Sequence, residues 1–115
     1  MSIVARYRNK FRFALQGLIT AIKTEDSMRV HLGIAVLVIL WGLYTHLPLW
    51  KWLILFLTIA VVLICEMINT AIETTVDLYK DSFHPMAKQA KDIAAGAVLI
   101  AAIMSVFVGV AIFFW

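Results

Sequence analysis

The sequence has little of what marks a soluble or secreted domain. Its 115 residues include one cysteine, two prolines and 15% charged residues, whereas 63% of the chain is hydrophobic. Soluble domains have about a quarter charged residues and about half apolar ones. Because Cys65 has no cysteine partner, no intrachain disulfide can form. The apolar excess is more than so small a soluble core could bury, so we expect a single domain in a lipid bilayer.

Marks of other functional classes are also missing. The net charge of +3 gives little support to nucleic-acid binding. Residues 1–29 hold no compact apolar run ahead of a small-residue cleavage site, so we expect no cleavable signal peptide. Neither a glycine-rich P-loop nor the protein-kinase motif set occurs, so any nucleotide chemistry must rest on another fold.

Three stretches are long and apolar enough to span a membrane as helices, for which about 20 residues suffice. Residues 30–47 carry no Lys, Arg, Asp or Glu and have a histidine near each end. Residues 50–79 are apolar in their first half, and residues 88–115 carry no charge beyond their first turns. Pro48 separates the first two stretches, and the polar segment that ends at Pro85 is expected to end the second helix.

Small residues recur every four positions in the third stretch, at Ala97, Ala101, Ser105 and Gly109. This spacing either lets helix backbones approach closely in lipid or reflects the general abundance of alanine in membrane helices. The sequence alone leaves both interpretations open.

Residues 1–29 have the pattern of a helix that lies on the membrane surface. At 100° per residue one narrow stripe is apolar, and the opposite side is basic and polar. The apolar stripe consists of Val4, Tyr7, Phe11, Leu15, Leu18 and Ile22. Phe13 falls on the polar side, where burial in lipid does not explain it. We therefore predict an all-α integral membrane protein with one amphipathic surface helix and three transmembrane helices.

The basic residues predict the orientation in the membrane. Residues 1–29 carry six Lys or Arg, the loop after the first span carries Lys51 alone, and the next loop carries Lys80, Lys88 and Lys91. Cytoplasmic loops are enriched in Lys and Arg. We therefore expect the N-terminus and the second loop in the cytoplasm and the C-terminus outside.

The second span carries a row of polar side chains within a 100° arc: Glu66, Asn69, Thr70, Glu73 and Asp77. Glu66 follows Trp50 by about 24 Å of helix, which places it near the cytoplasmic edge of the hydrocarbon. A carboxylate at that depth is costly and needs a partner, a metal or a proton. The row therefore marks a candidate functional site.

Other charges gather at the same membrane face, at Glu25, Asp26, Lys91 and Asp92. Carboxylates, basic groups and an amide at one interface suit a magnesium–nucleotide site for phosphoryl transfer. Two other interpretations stay open on the residues alone. One is a proton- or cation-coupled transporter or channel subunit, and the other is a non-catalytic adaptor that uses the surface helix.

The segment from Glu66 through Asn69 and Glu73 to Asp77 resembles the signature of the small bacterial diacylglycerol kinase and undecaprenol kinase family. The sequence Ala90-Lys91-Asp92, ahead of a small-residue helix, is similar to the family's second motif. The run from Lys23 through Glu25 and Arg29 to His31 is similar to its N-terminal region. The resemblance covers nearly the whole chain.

Membership of this family implies a homotrimer in a bacterial plasma membrane with active sites shared between chains. It implies transfer of the γ-phosphate of Mg-ATP to a lipid hydroxyl. By resemblance, Glu66 is the general base and Asn69 orients the reacting groups. Glu25 and Glu73 bind Mg²⁺. The resemblance also implies that Lys91 contacts the phosphates and that Asp92 and His84 help to hold the nucleotide. It implies that Arg6 approaches the lipid or the phosphates.

The chain departs from the diacylglycerol kinase branch at several positions. Phe83 and Phe13 stand where that branch carries tyrosine, Asn9 where it carries lysine, and Ala94-Ala95 where it carries Gly-Ser. Phe13 would then cover the nucleotide by packing. Pro85 and the residues that follow Asp77 look more like the Gram-positive branch. Undecaprenol is therefore the acceptor expected from the resemblance, with diacylglycerol as the alternative.

Overall fold

Four helices make up the part of the chain that the computed structural model describes, residues 2–79 and 84–115. They are α1 (Ile3–Thr24), α2 (Asp26–Thr45), α3 (Leu49–Asp77) and α4 (Pro85–Phe114). No strand occurs in these two ranges. The last three helices are long and apolar enough to cross a membrane. The prediction of an all-helical membrane fold is confirmed.

α1 is the amphipathic helix, and it is shorter than residues 1–29. Ser2 caps its start, because the Ser2 hydroxyl accepts a hydrogen bond from the Ala5 amide at 3.1 Å. At Glu25 the backbone is extended, and α2 begins directly afterwards at Asp26. The Arg29 guanidinium donates hydrogen bonds to two carbonyls in the last turn of α1, both at 2.8 Å. It thereby satisfies carbonyls that the end of a helix leaves without partners.

α2 and α3 form a hairpin that is closed by a tight turn. His46 takes a left-handed conformation with φ of 55°, and Pro48 precedes the first turn of α3. Gly42 is buried where the two helices approach each other closely. A Cβ atom at Gly42 would lie 2.8 Å from Cη2 of Trp52. A glycine is therefore what allows this approach.

α3 and α4 are longer than the bilayer requires. α3 has 29 residues, about 44 Å at 1.5 Å per residue, against a hydrocarbon thickness of about 30 Å. Pro85 opens α4 rather than ending α3, because a proline at the first helical position loses no hydrogen bond there. At the opposite end of α4, the Lys51 ammonium donates to the Ile112 carbonyl at 2.7 Å and ties the start of α3 to it.

Few side chains are buried, and those that are lie mainly between the long helices. The buried apolar residues are Ala21, Met28, Ala35, Leu55, Val62, Ala94, Ala101 and Ile112. On α4 the contact row runs through Ala94 and Ala101, while Ala97 is exposed and a Cβ atom added at Gly109 would meet nothing within 4 Å. The four-residue repeat of small residues is thus only partly at a helix contact. Most large apolar side chains point outward, as lipid-facing helices require.

Candidate active site

Three side chains on α3 form what we call the acidic face: Glu66, Asn69 and Glu73. Their spacing of three and four residues aligns them on one side of the helix. Glu66 is 4% exposed and Asn69 is 8% exposed, whereas Glu73 is half-buried. The Asn69 amide donates a hydrogen bond to Oε1 of Glu73 at 3.1 Å. The row inferred from helical periodicity is therefore a connected polar surface inside an apolar helix.

The side-chain oxygen of Asn69 is an acceptor without a donor. Among the described residues it is the buried side-chain polar atom that has no hydrogen-bond partner. Leaving such an atom unpaired costs about 1–3 kcal/mol. It lies beside Glu73, so an amide oxygen and a carboxylate are presented together. Both groups are oxygen ligands of the kind that Mg²⁺ binds, since this ion is usually held by one or two carboxylates together with phosphate oxygens and waters.

Within residues 2–79 and 84–115 no group of three or more His, Cys, Asp or Glu side chains is close enough to hold a metal by itself. A site built on Glu73 and the Asn69 oxygen therefore suits a metal that arrives with phosphate oxygens, and not a closed protein cage. The donor set fits Mg²⁺ in that manner.

Glu66 has a partner on the neighbouring span. Nε2 of His31, on α2, lies 3.3 Å from Oε2 of Glu66. The two side chains are 20% and 5% exposed. His31 lies near the start of the first predicted span and in the segment that resembles the family's N-terminal region, but no partner was predicted for it. His31 and Glu66 are both polar residues near the expected cytoplasmic ends of consecutive spans, and this shared depth could have indicated the pair.

An apolar cleft opens beside this pair. Its volume is about 430 Å³, and its walls come from α2, α3 and α4. The polar lining residues are His31, Thr58 and Ser105, and the others are apolar or glycine. Along α3 the lining reaches Leu63, one turn before Glu66. The cleft therefore leads from the apolar body of the bundle to the buried carboxylate.

The three charged residues in the first turns of α4 are all paired. Nζ of Lys91 lies 2.6 Å from Oδ1 of Asp77 and joins α4 to the last turn of α3. Lys88 and Asp92 form a second pair at 2.6 Å within α4. Both pairs are partly exposed to solvent. Lys91 and Asp92, inferred as nucleotide contacts, are thus near the end of α3 but engaged with other side chains.

The other inferred site residues lie apart from the acidic face. Glu25 is half-buried at the junction of α1 and α2, and Arg6 and Phe13 are exposed on α1, with the Arg12 guanidinium 5.2 Å from the Phe13 ring centre. His84 caps α4, its Nδ1 accepting a hydrogen bond from the Met86 amide at 3.1 Å. Within the described part of the chain none of Arg6, Phe13, Glu25 and His84 forms a hydrogen bond or ion pair with the acidic face. Phe83 lies outside the described residues.

The fold and the acidic face define a small multi-pass membrane protein with a buried carboxylate and a buried amide at one end of its second span. The family model for prokaryotic diacylglycerol kinase matches residues 12–113, a range that includes His31, the acidic face and every residue of the cleft except Phe114. The chain belongs to the prokaryotic diacylglycerol kinase family. This confirms the resemblance, and the expectation of a lipid kinase with it.

Individual relatives agree with the family match. The undecaprenol kinase of Bacillus subtilis (strain 168) is 41% identical over 94% of this chain and 88% of its own length. A diacylglycerol kinase of Synechocystis is 45% identical over 86% of this chain, which spans 57% of that longer protein. A diacylglycerol kinase of Helicobacter pylori (strain J99) is 33% identical over 84% of this chain and 75% of its own.

Proposed function

We propose that this protein transfers the γ-phosphate of ATP to the hydroxyl of a membrane-embedded lipid alcohol, with undecaprenol as the acceptor. The observation that carries the proposal is the acidic face, a buried carboxylate beside an amide oxygen that lacks a donor. At a purely structural helix contact an unpaired buried acceptor would only lower stability, whereas in a binding site a polar substrate or a metal can satisfy that acceptor.

In the proposed reaction Glu66 acts as the general base. Its carboxylate takes the proton of the acceptor hydroxyl as the new bond forms between that oxygen and the γ-phosphorus. The bond between the γ-phosphorus and the bridging oxygen breaks, and ADP leaves with the electron pair. The apolar cleft beside Glu66 supports an acceptor that arrives from the bilayer rather than from water.

Glu73, Glu25 and the side-chain oxygen of Asn69 would hold Mg²⁺. When bound, the ion neutralises charge on the phosphate oxygens. Lys91, Asp92 and His84 would contact the nucleotide, together with Arg6 and Phe13 on α1. Lys91 would then exchange Asp77 for phosphate, and Asp92 would exchange Lys88 for a hydrogen-bond donor of the nucleotide. The cost is small, because partly exposed ion pairs contribute about 0–1 kcal/mol.

The proposal includes a homotrimer in a bacterial plasma membrane, with the N-terminus and the site facing the cytoplasm. The basic residues of α1 and of the segment before α4 support this orientation. Shared sites in a trimer would explain why Arg6 and His84 lie away from the acidic face of their own chain. Chemical crosslinking in membranes tests the trimer, and accessibility of an N-terminal tag tests the orientation.

The choice of acceptor rests on the relatives. A protein named undecaprenol kinase matches nearly the whole of this chain, while diacylglycerol kinases match slightly less of it. Both lipids present a primary hydroxyl. Purified protein should be assayed with Mg-ATP and either lipid in identical mixed micelles. We expect the higher kcat/KM with undecaprenol, and a clear preference for diacylglycerol would replace it as the acceptor.

The base assignment has its own test. Glu66→Gln keeps the shape of the side chain but removes its basicity, and loss of a general base costs about 10²–10⁴-fold in rate. Asp26→Asn is the matched control, because Asp26 is a carboxylate with a 93% exposed side chain outside the proposed site. Activity in Glu66→Gln equal to that of the control, in a folded protein, would remove Glu66 as the base.

A further inference from the structure

We infer that His31 is a positioning residue for Glu66, which orients the carboxylate for its role as the base. This inference rests on the proposed function. It also stands on geometry, because Nε2 of His31 lies 3.3 Å from Oε2 of Glu66 across the α2–α3 contact. His31 acts through Glu66 and has no contact of its own with the reacting phosphate in this scheme.

The burial of Glu66 makes such a partner necessary. Its side chain is 5% exposed, and burial of a carboxylate without a polar partner costs free energy. The present distance is slightly long for a charge-assisted hydrogen bond, and contacts of this kind tighten when substrate is bound.

Nearby polar groups do not perform this task. Asn69 and Glu73 are hydrogen-bonded to each other. The Thr70 hydroxyl donates to the backbone carbonyl of Glu66, at 3.0 Å, and not to its carboxylate. Among the described residues, His31 is therefore the polar side chain that contacts the carboxylate, with 3.3 Å between Nε2 and Oε2.

The position of His31 also connects the base to the path of the acceptor. His31 is the titratable residue in the lining of the apolar cleft, and it contacts Glu66 from that side. An alcohol that reaches Glu66 through the cleft passes His31 first. A base held by a residue in the cleft wall is thus aimed at the place where the hydroxyl arrives, and such orientation is a large part of catalysis.

The experiment compares His31→Leu, His31→Asn and His31→Gln in the full-length protein in micelles. The Leu variant removes the donor, Asn keeps polarity but is too short to reach Glu66, and Gln keeps a side-chain N–H that can reach it. His46→Asn is the matched control. His46 is the histidine at the other end of α2, it is exposed, and asparagine tolerates its left-handed backbone.

We expect His31→Leu and His31→Asn to lower kcat for the lipid alcohol by about 10–100-fold, as loss of an orienting partner does at catalytic ligands. The KM for ATP should stay unchanged, and His31→Gln should recover part of kcat. A second readout needs no turnover. Dicyclohexylcarbodiimide modifies carboxyl groups in apolar surroundings. Labelling of Glu66, followed by mass spectrometry, should be faster in His31→Leu and His31→Asn, where no imidazole holds the carboxyl group, than in His31→Gln, His46→Asn or the unmodified protein.

Unchanged kcat and unchanged labelling in His31→Asn would overturn the inference. So would a loss of kcat without faster labelling, because it would mean that His31 has a packing role only. If His31→Leu fails to fold, the comparison of kcat and labelling rate between His31→Asn and His31→Gln tests the inference. If the unmodified protein phosphorylates no lipid alcohol, the proposed function fails, while the labelling still shows whether His31 holds the Glu66 carboxyl group.

Discussion

A close approach of two helices lies at Gly42, and its substitution by alanine gives a prediction whose size follows from the geometry. The new Cβ would lie 2.8 Å from Cη2 of Trp52 and 3.1 Å from Cδ1 of Leu47. Trp52 stacks on Phe56 with ring centres 5.4 Å apart, so its ring cannot swing away freely. α2 and α3 must therefore separate, and overpacking of this kind costs about 1–3 kcal/mol.

Alanine also stabilises a helix by about 1 kcal/mol relative to glycine, and in Gly42→Ala this gain offsets part of the steric cost. Gly33→Ala is the matched control on the same helix, because a Cβ there has nothing within 4 Å. Both variants gain the same helix propensity. The difference between them isolates the steric cost, and we expect Gly42→Ala to be the less stable by about 1–3 kcal/mol.

The measurement is unfolding of both variants by a denaturing detergent titrated into the same micelles and followed by tryptophan fluorescence and circular dichroism. If Gly42→Ala unfolds at the same detergent concentration as Gly33→Ala or at a higher one, the result contradicts a close contact between α2 and α3 at Gly42.

Three further outcomes are expected. Lys51→Met should lower the stability in the same detergent titration by about 1.5–3 kcal/mol, because a charged donor to the Ile112 carbonyl is lost, and Lys51→Arg should restore part of it; equal stability of Lys51→Met would contradict the contact. Arg29→Gln should release the end of α1 and speed amide exchange there, since two hydrogen bonds join it to α2; unchanged exchange would exclude this link. Asn69→Ala should raise the Mg²⁺ concentration needed for half-maximal activity, because Glu73 loses its donor and the metal loses an oxygen ligand; an unchanged requirement would remove Asn69 from the metal site.

Local periodicity was enough for most of the architecture. The surface helix, the three spans and the row through Glu66, Asn69 and Glu73 follow from the spacing of polar and apolar residues along single helices. The least accurate positions were the helix ends. Glu25 separates α1 from α2 by a single extended residue, and Pro85 starts a helix where a helix breaker was expected. Such ends depend on caps and on side chains from other segments, as Arg29 shows.

The pattern of residues along the chain is enough to predict that it belongs in a bilayer, that it is helical, and that one helix carries carboxylates and an amide at the edge of the hydrocarbon. Which side chains meet across helices depends on the tertiary structure. His31 pairs with Glu66, and Lys91 pairs with Asp77, because the rotation and spacing of α2, α3 and α4 bring them within reach. Those quantities are set by packing between segments distant in sequence, and no repeat within one helix encodes them.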